Sequence, residues 1–169
     1  MDPSVSFPIR YHIRPARAED QTTITVMVRG AHLNPFDLQW QRFLVAEDGS
    51  GIVGVGQIRP HEGAPELASL VVREDWHGQG VGRQLIHALI ARSPVTLYLF
   101  CRPQLESYYA QFGFRVMTVE EAPPALRLRY AIGHFITKLL LRRPMLAMKR
   151  QCKKGPIQNG HGLVRAKSD

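Results

Sequence analysis

The sequence predicts an α/β (α+β) fold in which helices flank a mixed central sheet. Two apolar runs, 42–47 and 52–59, flank the turn D-G-S-G, which is a strong signal for an antiparallel hairpin. An apolar run at 66–72, a glycine-rich turn, a helical repeat of Leu and Ile from Gly82 and a second apolar run at 96–101 then follow in order. This order predicts two parallel strands joined by a helix, so one sheet combines both strand orientations.

The remaining segments supply the ends of this sheet and its outer helices. A short strand at 11–15 and an apolar-rich helix that starts at residue 22 and ends near Gly30 precede the hairpin. After the parallel unit we expect a short helix at 104–112, closed by Gly113, and a strand at 114–120. Pro123 and Pro124 then open a longer helix, and the last strand is expected at 145–150.

Length and charge indicate one domain with a basic end. The chain has 169 residues, which fits a single domain over 1–150 followed by a polar, basic tail over 151–169 that we expect to be disordered. Residues 1–121 carry a net charge of −2 (11 Arg against 13 Asp and Glu) and residues 122–169 carry +10 (11 Lys and Arg against one Asp). A uniformly basic nucleic-acid-binding domain is therefore not indicated, and no specific nucleic acid partner is expected.

Targeting signals and metal motifs are not recognisable in the sequence. No apolar run reaches the roughly 20 residues that a membrane span needs, and the first residues lack the regions of a signal peptide, so we expect a cytoplasmic protein. Cys101 lies in an apolar run and is expected to be a buried thiol. The histidines show no ligand spacing with Cys or Asp, so no metal is expected.

The turn H-G-Q-G-V-G at 77–82 carries the clearest chemical signal. Its glycines permit positive φ and leave a concave face without side chains, so that successive backbone N–H groups can converge on an anion. The helix that begins there directs its positive end to the same point. The spacing matches neither the nucleotide P-loop nor the dinucleotide-binding fingerprint. The turn therefore suits a diphosphate in a different fold, with a plain chain reversal as the simpler alternative.

Two motifs resemble the GCN5-related N-acetyltransferase (GNAT) superfamily. Its signature [Q/R]-x-x-G-x-[G/A] is matched by H-G-Q-G-V-G, and S-Y-Y-A-Q-F-G-F at 107–114 is similar to its second signature. The resemblance extends over the element order from about residue 10 to residue 150. It implies the GNAT fold, a mixed sheet of six to seven strands whose fourth and fifth strands splay apart.

The resemblance also implies acetyl-CoA as the acetyl donor. The backbone of the fourth strand would hold the pantetheine arm, and the glycine turn would hold the pyrophosphate. The splayed strands leave backbone groups that an extended amide chain can satisfy as if it were a strand. The cofactor-binding residues implied in this way are Leu70, Val71, Val72, His77, Gly78, Gln79, Gly80, Val81, Gly82 and Arg83.

Acetyl transfer to an amine needs a base and benefits from an acid at the sulfur, because an alkylammonium is almost wholly protonated at pH 7. Tyr109 occupies the tyrosine position of the second signature, which implies the acid, while Tyr108 is expected to pack. Glu66 lies where the histone-acetylating branch of the family has a glutamate, which implies the base; a solvated residue at a strand start is the alternative. His77 and Arg102 depart from the family pattern, so their roles stay open.

The acceptor is not defined by these motifs. The sequence predicts an N-acetyltransferase that acts by direct attack in a ternary complex, on a small molecule such as an amino acid or a polyamine, or on a protein amine. The alternative is an acyl-CoA-binding regulatory module tethered through its basic end. The apolar stripe of the helix at 125–142 suits packing over the acceptor cleft or a homodimer interface, with contact to a membrane surface as the less favoured alternative.

Overall fold

A computed structural model describes residues 10–118, 120–127 and 145–152. Residues 124–127 are helical, which agrees with a helix that opens at the proline pair. The rest of the helix predicted at 125–142 and the tail predicted from 151 lie, apart from their first residues, outside the described residues.

Local sequence patterns account for most elements. The strands are β1 (His12–Pro15), β2 (Phe43–Asp48), β3 (Gly51–Arg59), β4 (Glu66–Val72), β5 (Leu97–Cys101), β6 (Arg115–Val116) and β7 (Leu146–Arg150). The helices are α1 (Gln21–Gly30), α2 (Val81–Ala91) and α3 (Glu106–Ala110), with short 3-10 segments at Ala18–Asp20, Trp40–Arg42, Glu74–Trp76 and Pro103–Leu105. β6 is shorter than the strand predicted at 114–120. The chain leaves the sheet edge at Thr118, whose N–H donates to Glu121 Oε2 at 3.2 Å.

The seven strands form one sheet in the order β1-β2-β3-β4-β5-β7-β6. Every neighbouring pair is antiparallel except β4 and β5, which are parallel. The predicted combination of an antiparallel hairpin with one parallel unit is therefore confirmed, as is the mixed sheet flanked by helices.

β4 and β5 pair at one end only. Their register contains a single pair, Glu66 opposite Tyr98, and Tyr98 N–H donates to Pro65 O at 3.0 Å. Beyond this pair the strands diverge, so the β4 edge from Leu70 to Val72 has no strand beside it. The predicted splay is present, and it opens a gap through the sheet.

Each face of the sheet has its own apolar core. Gly54 and Gly56 of β3 leave room for α2, because a Cβ at either position would meet Leu85 or Leu89 at 3.0 Å. The opposite face packs on α1 through a cluster that contains Ile24, Val28, Phe43, Val45 and Val55. The α2 face and the α1 face of the sheet therefore have separate apolar cores.

Candidate functional site

The glycine turn lies where β4 reaches α2. Gly78 and Gly80 have φ values of +77° and +81°, which side chains rarely adopt, and α2 begins directly after Gly80. Gln84 N–H closes the first helical turn on Gly80 O at 3.0 Å. The backbone N–H groups before Gln84 are therefore left for another acceptor, at the positive end of an 11-residue helix.

The side chains of His77 and Gln79 fasten this turn to the rest of the chain. His77 Nε2–H donates to the carbonyl of Val72 at 2.9 Å, and Gln79 Nε2–H donates to the carbonyl of Asp75 at 3.0 Å. His77 thus ties the turn to the last residue of β4. His77, which stands where the family usually has Gln or Arg, therefore has a structural role that depends on its imidazole N–H.

A cleft of about 590 Å³ opens beside the turn, between α2 and α3. Its lining combines the glycine turn, the end of β4 and two tyrosines of α3. The lining residues are Leu70, Val72, Trp76, His77, Gly78, Gly80, Val81, Gly82, Arg83, Leu105, Tyr108 and Tyr109. Eight of the ten residues predicted to bind the cofactor lie in this set, and Val71 and Gln79 do not.

The backbone of β4 explains why Val71 lies apart. Arg73 N–H donates to Val53 O at 2.8 Å, and residues in an antiparallel pair bond the partner strand at every second position. Val71, which pairs with Val55, therefore directs its N–H and C=O to β3. Val72 directs its backbone N–H and C=O to the open edge, where its carbonyl accepts the hydrogen bond from His77 Nε2–H.

Three cleft residues were missed from the sequence: Trp76, Leu105 and Tyr108. Trp76 packs edge-on against Tyr11, with ring centroids 5.8 Å apart. The Tyr108 hydroxyl lies 3.1 Å from the point that a Cβ on Gly82 would occupy. Tyr108 lies close to the glycine turn because α3 approaches α2. In the sequence, the signal for this position is that Tyr108 directly precedes the signature tyrosine, Tyr109.

Tyr109 is the more buried of the two tyrosines, at 8% exposure. Its ring packs edge-on against Tyr108 and Phe114, at centroid distances of 5.4 and 6.2 Å. Burial, with smaller contributions from Cys101 and Tyr108, raises the pKa of Tyr109 well above its usual value. The hydroxyl therefore keeps its proton across the physiological range and can act as a hydrogen-bond donor.

Glu66 lies on the other face of the sheet. Its partner across β3 is Arg59, and the next residue, Leu67, belongs to the core on the α2 face. The side chain is buried, with Oε2 2.9 Å from His61 Nε2 and 3.8 Å from Arg59 Nη1. A carboxylate thus stands on the α1 face at the closed end of the gap, where β4 still pairs with β5.

The loop at 33–39 covers part of this second region. Arg59 Nη2–H donates to the carbonyl of Phe36 at 3.3 Å, and Asp37 Oδ2 lies 3.8 Å from Arg59 Nε and 2.6 Å from Arg42 Nη1. Phe36 itself is 76% exposed. The α1 face therefore presents charged groups of both signs beneath an exposed aromatic ring.

The cleft fits an elongated anionic ligand. Gly78, Gly80 and Gly82 place no side chain in it, and Arg83 adds a cation beside the helix start. The open β4 edge offers the backbone of Val72, which suits an extended amide chain. These features match a diphosphate joined to an amide arm, as in coenzyme A.

Other sequence expectations concern metals, membranes and thiols. In the described part of the chain no group of three or more His, Cys, Asp or Glu could hold a metal ion. No helix within 10–118, 120–127 or 145–152 is long and apolar enough to cross a membrane. Cys101 is buried against Met148, with sulfur atoms 3.7 Å apart, and burial raises its thiol pKa to about 11. It is the buried thiol that was expected.

A family comparison locates the same region. The model of the acetyltransferase (GNAT) domain matches residues 39–116, which span β2 to β6 and include both motifs. No curated protein matches the sequence. The family match therefore comes from the part of the chain that builds the cleft.

Solved structures share the fold at low sequence identity. N-acetylglutamate synthase from Neisseria gonorrhoeae, complexed with coenzyme A and N-acetyl-glutamate, is 18% identical with a TM-score of 0.71, covering 84% of this chain and 35% of its own. The chain thus spans about a third of that enzyme. Ribosomal-protein-S18-alanine N-acetyltransferase from Escherichia coli is 17% identical with a TM-score of 0.63, covering 88% of this chain and 97% of its own. A Mycobacterium tuberculosis protein in complex with CoA has a TM-score of 0.66 at 17% identity, covering 83% and 98%.

Proposed function

The chain belongs to the GNAT superfamily, and from that premise we propose that it transfers an acetyl group from acetyl-CoA to a primary amine by direct attack. One observation carries the proposal: β4 and β5 part beyond Glu66, with the glycine-lined cleft on one face of the sheet and the buried carboxylate of Glu66 on the other, at the closed end of the gap. A thioester delivered along β4 from the first face would meet an amine that arrives from the second.

The donor would lie along the α2 face. The turn from His77 to Gly82 and the guanidinium of Arg83 would hold its diphosphate. The backbone N–H of Val72 and the backbone groups of Leu70, two residues earlier on β4, would bind the amide arm. When bound, acetyl-CoA supplies an activated acetyl group. Because the residues of β4 act through backbone, conservative changes of their side chains should matter little.

Glu66 is proposed to act as the base. Acceptor ammonium groups must lose a proton before they can attack, and a buried carboxylate on the acceptor side can take it directly or through water. Arg59 and Asp37 lie beside it, so an acceptor would meet both a cation and carboxylates. Amino acids and protein amines are the acceptor classes to test first, since the neighbours include an N-acetylglutamate synthase and a ribosomal-protein-S18-alanine N-acetyltransferase.

Tyr109 is proposed to assist the departure of the sulfur. Its raised pKa makes full proton transfer to a thiolate unfavourable, so its main contribution would be a hydrogen bond to the sulfur as charge develops there. Tyr108 lines the same cleft 5.4 Å away, centroid to centroid. It is the natural comparison for an experiment.

The test has two steps. Incubation with acetyl-CoA and a mixed library of amino acids, polyamines and peptides, read by mass spectrometry, should yield an acetylated amine. Then Tyr109→Phe should lower kcat about a hundredfold or more with nearly unchanged affinity for CoA, whereas Tyr108→Phe should retain most of kcat. Equal kcat values for Tyr109→Phe and wild type would refute the assigned acid. CoA binding with no acetylated product would favour a regulatory acyl-CoA-binding module instead.

A further inference from the structure

The Tyr108 hydroxyl lies where the glycine turn meets β4. It is 3.1 Å from the point that a Cβ on Gly82 would occupy, and Val72 Cγ2 is 3.5 Å from the same point. Gly82 is the second residue of α2, and the Cβ atoms of a helix tilt toward its N-terminus. The hydroxyl therefore lies beside the backbone N–H groups at the start of α2, close to the open edge of β4.

Aromatic packing fixes the Tyr108 ring in this position. Its centroid is 5.4 Å from the centroids of Tyr109 and Phe112, both of which are buried, and both contacts are edge-on. The guanidinium carbon of Arg83 lies 6.0 Å from the centroid of the same Phe112 ring. Tyr108 and Arg83 thus share one anchor, and both line the cleft, so a hydroxyl and a cation are held there together.

The hydroxyl has a proton to donate. Among residues 10–118, 120–127 and 145–152, no group of the chain forms a hydrogen bond with it. Burial raises the pKa of Tyr108, and the nearby Arg83 guanidinium opposes this rise only in part, so the phenol stays protonated at neutral pH. A tyrosine hydroxyl that is shielded from water usually has a hydrogen-bond partner. A ligand in the cleft is the acceptor that this position favours.

The charges at this place favour an anionic acceptor. The start of α2 is the positive end of the helix, and Arg83 adds a full charge. A hydrogen bond to a charged oxygen is also stronger than one to a neutral oxygen. We propose that Tyr108 donates a hydrogen bond to the diphosphate of coenzyme A, an assignment that rests on the proposed function for the identity of the ligand.

Such a contact contributes to binding rather than to the chemical step. The diphosphate is remote from the thioester, so the hydrogen bond is the same in the ground state and in the transition state, and its loss raises KM without lowering kcat. This separates Tyr108 from Tyr109, which is proposed to act at the sulfur. It also defines the donor class, because a pantetheine thioester without a diphosphate gains nothing from Tyr108.

The first test compares Tyr108→Phe with Tyr11→Phe. Tyr11 is a matched control: its hydroxyl lies 4.0 Å from the point that a Cβ on Gly80 would occupy, but Tyr11 does not line the cleft. Calorimetry should show roughly ten- to hundredfold weaker CoA binding by Tyr108→Phe and wild-type binding by Tyr11→Phe. Since phenylalanine keeps the ring contacts, Tm without ligand should be that of the wild type. Equal CoA affinities for the two variants overturn the proposal.

Three ligands locate the contact. Dephospho-CoA lacks the 3′-phosphate but keeps the diphosphate, and pantetheine lacks both. Tyr108→Phe should weaken CoA and dephospho-CoA by the same factor and leave pantetheine binding unchanged. A loss confined to CoA would assign the contact to the 3′-phosphate, and an equal loss for all three ligands would assign it to the amide arm or to the fold. Either result overturns the proposal.

Calorimetry does not depend on turnover, so the two proposals can fail separately. CoA binding that depends on Tyr108, in a protein that acetylates neither L-glutamate, spermidine nor a hexapeptide with N-terminal alanine, supports the contact and contradicts the proposed function. If an amine is acetylated, Tyr108→Phe should raise KM for acetyl-CoA by the factor seen in calorimetry and keep most of kcat. A lower kcat with unchanged KM would place Tyr108 at the reacting atoms and overturn the assignment.

Discussion

The contact between β3 and α2 can be tested by adding one methyl group. In Gly54→Ala the new Cβ would lie 2.8 Å from Val81 Cγ1, 3.0 Å from Leu85 Cδ1 and 3.4 Å from Val71 O. Real Cβ atoms essentially never approach another heavy atom to less than 3.0 Å. Val81 and Leu85 are both buried, so neither side chain can turn out to solvent without opening the core.

The energetic cost follows from this overlap. Overpacking a well-filled core costs roughly 1–3 kcal/mol, and the lower flexibility of alanine in the unfolded chain offsets about 0.4–1 kcal/mol. We expect a net loss of about 1–2 kcal/mol in the free energy of unfolding. For a domain of 150–250 residues, roughly 2–4 °C of Tm accompanies each kcal/mol, so Tm should fall by about 2–8 °C.

Thermal unfolding by circular dichroism, with and without CoA, measures both consequences. Because Val81 is the first residue of α2 and directly follows the glycine turn, its displacement should also weaken CoA binding and reduce the Tm increase that CoA produces. Gly49→Ala is the control, since nothing lies within 4 Å of its new Cβ. Equal Tm values for the two variants would refute the packing argument. A wild-type Tm increase on addition of CoA in Gly54→Ala would show that displacement of Val81 does not affect CoA binding at the glycine turn.

Two further changes test the glycine turn and a buried ion pair. Gly78 has a φ of +77°, so Gly78→Ala should lower the free energy of unfolding by about 1–2 kcal/mol through backbone strain, and calorimetry should show at least tenfold weaker CoA binding. Gly51→Ala is the control: this hairpin glycine has a φ of +127°, so the variant should lose stability and keep its affinity for CoA. Asp20, buried and 2.7 Å from Arg14 Nη1, has its pKa lowered chiefly by the Arg14 hydrogen bond. A lowered pKa gives stability that is present above the unfolded value near 4 and lost as pH falls through the folded value. Asp20→Asn should therefore cost about 2 kcal/mol in urea unfolding at pH 7, and the difference from wild type should narrow below pH 4; a constant difference would argue against the pair.

Local patterns in the sequence predicted most of the fold because they act over a few residues. The strand expected at 66–72 has those bounds in the structure, and the D-G-S-G turn does join β2 to β3. The glycine turn was recognised because positive φ needs glycine, and both Gly78 and Gly80 adopt it.

The rest of the site depends on contacts between distant segments, which no local pattern encodes. Tyr108 was expected to pack, yet it lines the cleft, because the approach of α3 to α2 determines which tyrosines border it. The hydrogen bonds from His77 to Val72 and from His61 to Glu66 both follow from the path of the backbone around β4. A histidine in the sequence carries no sign of which carbonyl or carboxylate it will meet.

One irregularity in β4 places the proposed base opposite the donor cleft. Side chains alternate along a strand, so an uninterrupted β4 would put Glu66, Leu70 and Val72 on the same face. The register with β3 shifts between Val55 and Gln57, and Ser69 takes a φ of +52° there, with its Oγ accepting the Gln57 Nε2–H at 3.0 Å. Leu67, Leu70 and Val72 consequently pack on the α2 face, while Glu66 stays beside Arg59 on the other. One extra residue thus allows a single strand to border the donor on one face and carry the base on the other, a division that acetyl transfer through the gap requires.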